Sequence, residues 1–286
     1  MPELPEVEVV RVGLAPAVDG ATVAGVEVLD DRSVARHDSG ARDFEATLLG
    51  RTMATPQRRG KFLWVPLDDD RALSIHLGMS GQVLLREPGA PLDRHTRVRL
   101  LLEHPLHGTL AVHFADQRIF GSMSVRPLVD GVPDHATHIA LDPLHPDFDA
   151  DAVVARLRMR RQGVKAAILD QQLVSGVGNI YADEALWRAR LHYLTPAERL
   201  TRGRARELLA EVQGVLERAL TEGGTSFDAQ YVNVNGESGY FSRSLQAYGQ
   251  EGRPCARCGT PIVRESWSNR SSYRCPRCQR RPRGLA

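Results

Sequence analysis

Apolar residues recur at Val7, Val10, Leu14 and Val18, and this spacing predicts an amphipathic helix over residues 5–18. The pattern then shortens. Runs at Val23–Val28, Phe62–Leu67, Leu73–Leu77, Gln82–Leu85, Val98–Leu102, Leu110–Phe114 and Ile119–Val125 are separated by Gly, Pro or acidic turns. Many short strands at such intervals predict a β-sandwich or barrel behind the first helix. Residues 127–148 carry Pro127, Gly131, Pro133, Pro143 and Pro146 and few periodic apolar positions, which places a domain boundary there.

Helical periodicity dominates afterwards. Asp149 or Asp151 is placed to cap a helix reaching about Arg161, and another spans about 164–173. Asn179 opens a third that runs to about Arg190 and is placed to cap it. A long helix carries Leu208, Leu209, Val212, Val215, Leu216 and Leu220 and stops at Gly223-Gly224. Residues 225–239, rich in Ser, Asn and Gly, read as a loop. The expected organisation is an α+β chain: an N-terminal domain over 1–130, a linker over 131–150, a helical domain over 151–250 and a cysteine-bearing module over 251–281.

Composition changes the picture in two places. Net charge is only +2, yet residues 253–286 hold nine Arg against the single acid Glu265, which leaves −6 on the preceding chain. A basic end on an acidic protein points to a polyanionic partner. Of 37 basic residues only Lys61 and Lys165 are lysine. Lysine gives up a proton where arginine does not, so a lysine retained in such a chain is a candidate for acid/base chemistry. No apolar run approaches a membrane span and the acidic start lacks a secretory pattern, so a cytoplasmic address and no membrane partner are expected. A monomer is the default expectation.

The strongest chemical signal is Cys255-x2-Cys258 with Cys275-x2-Cys278, sixteen residues apart. Two such pairs supply four thiolates for a closed tetrahedral site, which suits one structural Zn²⁺ and leaves no open position for catalysis. Arg270, Arg274 and Arg277 are expected to project from this hairpin toward phosphate. Ser175-Gly176-Val177-Gly178-Asn179 lets backbone approach a partner closely, and a helix start there offers free N–H groups to phosphate. At the other end, removal of Met1 would expose the secondary amine of Pro2, which titrates far below lysine and is suited to attack an aldehyde-like carbon. Glu3 stands beside it as an acid/base candidate. Taken alone, Pro5, Glu3 and Glu6 also suit an ordinary helix start. Lys61 begins an apolar strand, Met79 lies near the tip of a glycine-rich turn, and Arg118 and Phe120 alternate onto one face.

Together these stretches resemble bacterial formamidopyrimidine-DNA glycosylase, from Met1-Pro2-Glu3-Leu4-Pro5-Glu6-Val7-Glu8 through Gly178-Asn179-Ile180-Tyr181 to the four cysteines. The resemblance implies an N-terminal β-sandwich, a helix-two-turn-helix and a zinc-finger β-hairpin. It implies base-excision repair of duplex DNA containing oxidised purines or abasic sites, by a glycosylase that is also a lyase. Pro2 would be the nucleophile, Glu3 and Lys61 acid/base groups, and Arg270 the residue assisting δ-elimination. His95, Arg118, Arg160 and Asn179 match DNA contacts of the family. Met79, Arg118 and Phe120 match residues that fill the space left by an extruded base, and Thr225, Ser226 and Tyr240 bound a lesion-enclosing loop. Gln117 stands where the family often has Pro, and Arg160 where it has Lys. The neighbouring endonuclease VIII type attacks oxidised pyrimidines and begins with Gly where this chain has Leu4. A non-catalytic zinc-dependent DNA-binding scaffold would keep the cysteines but lose Pro2, Glu3 or Lys61, and this chain has all three.

Overall fold

A computed structural model describes residues 2–225, 234–235 and 240–283. The chain divides into two compact units, one of residues 1–138 and 222–240 and the other of 139–221 and 241–286.

The first unit opens with α1 (Leu4–Val18), which buries Leu4, Val7, Val10 and Leu14. Two antiparallel sheets follow. The first contains β1 (Thr22–Val28), β5 (Gly81–Arg86), β6 (Thr96–His104) and β7 (Gly108–Asp116) in the order β1-β6-β7-β5. The second contains β2 (Gln57–Arg59), β3 (Phe62–Pro66), β4 (Arg71–His76), β8 (Ser122–Val129) and β9 (Val132–Pro133) in sequential order except for the jump from β4 to β8. Alternation along β6 puts Val98, Leu100 and Leu102 inward, where they share one core with Leu63, Val65, Leu73, Ile75, Met123 and Val125 of the other sheet. Period-two burial on facing sheets is what a sandwich requires. The expected N-terminal helix and sandwich are therefore present.

One element was not anticipated, and two sequence readings need correction. Residues Gly40–Leu48 form a helix, α2, that burial of Phe44 and Leu48 fixes against the core. Its nine residues are too few for a strong periodic signal. Ile119 has φ 55°, so β8 begins at Ser122 and Arg118 and Phe120 belong to a loop rather than to one strand face. Lys61 lies in the two-residue turn joining β2 to β3, with Gly60 at φ 57°, and not in the strand itself.

The second unit holds α3 (Ala150–Leu157), α4 (Val164–Ile168), α5 (Asn179–Arg188), α6 (Arg202–Thr221) and the hairpin β10 (Val263–Trp267) with β11 (Arg270–Arg274). Asp149 caps α3 by accepting the Ala152 N–H. α3 and α4 are shorter than their predicted spans. The tip of the hairpin has Ser268 and Asn269 both at positive φ, the two-residue turn that follows strand twist. No helix among the described residues is long and apolar enough to cross a membrane.

Candidate nucleic-acid and zinc sites

In the first unit Pro2 and Glu3 are buried at the start of α1. Glu6 turns back and accepts the Glu3 N–H at 2.8 Å. The other oxygen of Glu6 accepts the backbone N–H of Thr225 at 2.8 Å and its hydroxyl at 2.9 Å. Gly224 stands at φ +82° beside it, a conformation that disfavours a side chain. One carboxylate thus ties the amino-terminal segment to the start of the 225–239 loop. Most of that loop, Ser226 included, lies outside the described residues, as does Met1.

Lys61 is brought to the same region by its neighbours. Arg58 binds Glu8 of α1 at 2.8 Å and donates to the carbonyl of Gly60 at 3.0 Å. The turn carrying Lys61 is therefore fastened to the helix that begins with Pro2 and Glu3. Arg58 escaped the sequence reading because one more arginine carries no signal in so arginine-rich a chain. His76, at the end of β4, was also missed. Its ring lies 5.9 Å from Phe62, and it accepts the Gly78 N–H on Nδ1, which leaves the proton of the neutral ring on Nε2. Burial, followed by the fields of Arg36, His135 and Lys61, holds this imidazole down at about 4.

Met79, Arg118 and Phe120 are all exposed, on the loops β4–β5 and β7–β8. A Cβ on Gly78 would lie 2.4 Å from Phe120 and Gly121 backbone, so the two loops touch main chain to main chain. Fully buried Asp116 clamps them together. It accepts the Ser80 hydroxyl at 2.5 Å, the Arg118 N–H at 3.1 Å and the Gly121 N–H at 2.7 Å. The Arg118 guanidinium lies 5.0 Å over the Phe120 ring, so the cation–aromatic pairing survives although the strand does not. His95 is held nearby, where its carbonyl accepts the Asp116 N–H at 2.9 Å.

In the second unit Asn179 is the first residue of α5, and Gly178 occupies the cap position. The expected capping role is thus replaced: Asn179 Nδ2 donates to the Ser271 carbonyl at 2.9 Å while its buried Oδ1 has no partner. Arg160 follows α3 and pairs with Asp170 at 3.1 Å. Arg270 is exposed at the hairpin tip. Arg274 is not directed to a ligand as expected, because its Nε and Nη2 donate to Glu265 at 2.8 and 2.7 Å across the hairpin and its Nη1 donates to the Gln279 carbonyl at 3.3 Å. Lys165 is likewise no acid/base candidate. It is wholly buried, 2.6 Å from Asp183 and 4.8 Å over the Trp267 ring. Asp183 in turn accepts the Ser272 hydroxyl and the Tyr273 N–H, so this ion pair docks the hairpin onto α4 and α5.

The four cysteines converge, with every Sγ within 4.8 Å of the others and contacts of 3.4 and 3.6 Å across the group. None is in a disulfide. A tetrahedron with Zn–S bonds of about 2.3 Å has S···S edges of about 3.8 Å, so the set fits the ion. The donors also need a cation to ionise together: hydrogen bonds from Thr260 bring Cys258 down to about 6, whereas burial and the adjoining sulfurs push Cys278 up to about 12. Trp187 of α5 donates to Cys255 Sγ at 3.4 Å, and the Gln279 side chain joins Cys275 N–H to the Leu191 carbonyl. Outer contacts of this kind orient a metal's ligands.

A β-sandwich whose first helix follows a buried proline and glutamate, a helical unit and a four-thiolate hairpin define a class of zinc-bearing DNA glycosylase folds. Residues 1–123 match the formamidopyrimidine-DNA glycosylase N-terminal domain, 139–230 its H2TH domain, and 252–281 the zinc finger found in FPG and IleRS. The chain is 62% identical to the formamidopyrimidine-DNA glycosylase of Leifsonia xyli, over 98% of this chain and all of that protein. The Lactococcus lactis Fpg, solved with DNA containing an abasic site, is 30% identical, with TM-score 0.84 over 98% of this chain and all of that one. A MutM solved with DNA containing carbocyclic 8-oxo-G gives the same identity, TM-score and coverage. The chain belongs to the formamidopyrimidine-DNA glycosylase family.

Proposed function

We propose that this protein is a bifunctional base-excision repair enzyme that removes oxidised purines from duplex DNA and then nicks the strand as a lyase. The observation that carries the reading is the first unit's fastening of the Lys61 turn to the helix that begins with Pro2 and Glu3. Once Met1 is removed, the Pro2 nitrogen attacks C1′ of the damaged nucleotide. The N–C1′ bond forms as the glycosidic C–N bond breaks, and the base leaves with a proton. Glu3 assists opening of the sugar ring, which yields an iminium between Pro2 and the open sugar. Lys61 serves the proton transfers, including loss of the C2′ proton that expels the 3′ phosphate. Arg270 assists the following δ-elimination, which releases the 5′ phosphate.

Met79, Arg118 and Phe120 fill the gap left by the extruded nucleotide, as exposed apolar and cationic tips on a rigid base suit. His95, Arg160 and Asn179 hold backbone phosphates, the last through the amide group next to Ser271. Cys255, Cys258, Cys275 and Cys278 hold a Zn²⁺ that locks the hairpin presenting Arg270. In this reading residues 1–130 carry the covalent chemistry, and 151–250 with 251–281 grip the duplex. The protein works as a monomer in the cytoplasm, on the nucleoid.

Borohydride trapping on a duplex with one 8-oxoguanine opposite cytosine tests the reaction. The wild type is expected to form a cross-link and Pro2→Gly to form none. An equal cross-link in both shows that the ring nitrogen of Pro2 is not required, since Gly at position 2 also offers an α-amine. No cross-link in either, with DNA binding intact, leaves a non-catalytic damage-binding scaffold.

A further inference from the structure

The outer face of the β1-β6-β7-β5 sheet carries a recess of about 260 Å³, of whose lining the chemistry above uses only His95. Its walls include Gln82, Arg86, Asp93, His95, Thr96 and His113, and its floor includes Leu84 and Ala115. Register explains the cavity. His113 lies opposite Leu84 on β5 and Arg99 on β6, with Ala111 and Ala115 two residues away on the same face. Two alanines beside a larger ring leave room above the sheet.

The polar groups in the recess are unevenly matched. His113 is 2% exposed, and among the described residues its Nε2 has no hydrogen-bond partner; nor has Thr96 Oγ1 or His95 Nδ1. Buried polar atoms of this kind are nearly always satisfied in a folded protein, by the chain or by something bound to it. The cations are uneven too. Arg99 is neutralised by Glu27 at 2.6 Å, but Arg86, a diagonal neighbour of His113, donates only to the Leu85 carbonyl among the described residues. The single acid on the wall, Asp93, is occupied by the His95 N–H at 2.7 Å. Burial followed by the fields of Arg86 and Arg99 lowers the His113 pKa, and this positive field is one that an anion would relieve.

We infer that this recess is an oxyanion site of the phosphate class, with Arg86 as its charge and His113 and Thr96 as its hydrogen-bonding groups. A guanidinium next to buried imidazole and hydroxyl groups is a natural phosphate receptor. His95 and Gln117 are among its lining residues, and Gln117 directly precedes Arg118 on the loop that follows β7. On the repair reading proposed above, its ligand is a backbone phosphodiester of the bound duplex, beyond those assigned to His95, Arg160 and Asn179. A free phosphate group would be recognised by the same chemistry.

Two measurements on the full-length zinc-loaded protein separate the sources. In ¹⁵N-histidine NMR, inorganic phosphate is expected to shift the His113 ring signals in wild type and not in Arg86→Gln; His113→Asn assigns those signals. With a duplex carrying an abasic-site analogue, Arg86→Gln is expected to reduce the slope of log affinity against log salt by about one. A phosphate-induced shift with an unchanged slope identifies a free phosphate ligand and retains the site. A reduced slope identifies DNA. No shift and no change of slope means that water alone fills the recess, and the inference is overturned. Excision of 8-oxoguanine by wild type is read separately, so a failure of the repair reading cannot be mistaken for failure of this site.

Discussion

His76 shows what a single side chain contributes at the candidate active site. Its pKa in the folded protein, about 4, lies below the roughly 6.5 of an unfolded histidine. Between those values the unfolded chain binds more protons than the folded one. The stability conferred by the neutral ring is therefore complete above about pH 6.5 and is lost as pH falls toward about 4. Full loss amounts to on the order of 3 kcal/mol. His76→Asn keeps an acceptor for the Gly78 N–H but cannot titrate, so its urea midpoint should fall less steeply than that of wild type between about pH 7 and 4.5. Parallel curves for the two proteins would remove His76 as the source. The metal-binding set was legible in the sequence because spacing fixes it, and the four cysteines do converge. Partners were not: that Arg274 is claimed by Glu265, and Lys165 by Asp183, depends on contacts the order of residues does not reveal.

Among elements, the hairpin β10–β11 depends most on what surrounds it. Five residues per strand bury little apolar surface, and its small cluster consists of Trp187, Ala247, Ile262 and the cysteines themselves. A bound metal supplies the missing folding energy in such modules. Chelation of zinc, or Cys275→Ala, should therefore abolish binding to an abasic-analogue duplex while the β-rich unit retains its cooperative unfolding. Full binding by the zinc-free protein would contradict the structural role given to the ion. Strands were readable because the two faces of the sandwich impose a strict alternation, most clearly along β6. α2 was not, since nine residues with two buried anchors resemble a loop until the core they cover is known. Similarly, Ile119 at positive φ ended a run that its composition would have extended.

At the scale of the whole molecule, function separates into what the fold provides and what loops select. In the proposed reading the α1 start sets the reaction class, whereas Met79, Arg118 and Phe120 sit on exposed loops held by Asp116. Side-by-side cleavage of duplexes carrying 8-oxoguanine or thymine glycol should favour the former. A preference for thymine glycol would assign the chain to pyrimidine repair instead. Charge follows the same division, with +8 concentrated in residues 253–286 of a chain of net +2. That asymmetry was visible from composition, and the structure adds that Arg274 is the arginine Glu265 pairs with.

The buried pair of Lys165 and Asp183 has a consequence for how such proteins can be recombined. The hairpin looks like a portable cassette, with its own metal and a short sequence. Yet Asp183 reaches into it through Ser272 and Tyr273, and Lys165 stacks on its Trp267. A graft that moved the hairpin alone would leave the Lys165–Asp183 pair behind, stripped of the Ser272 hydroxyl, the Tyr273 N–H and the Trp267 ring, and a buried ion pair that loses its added hydrogen bonds is poorly compensated. The hairpin and the two helices beneath it must therefore be exchanged, or inherited, as one piece.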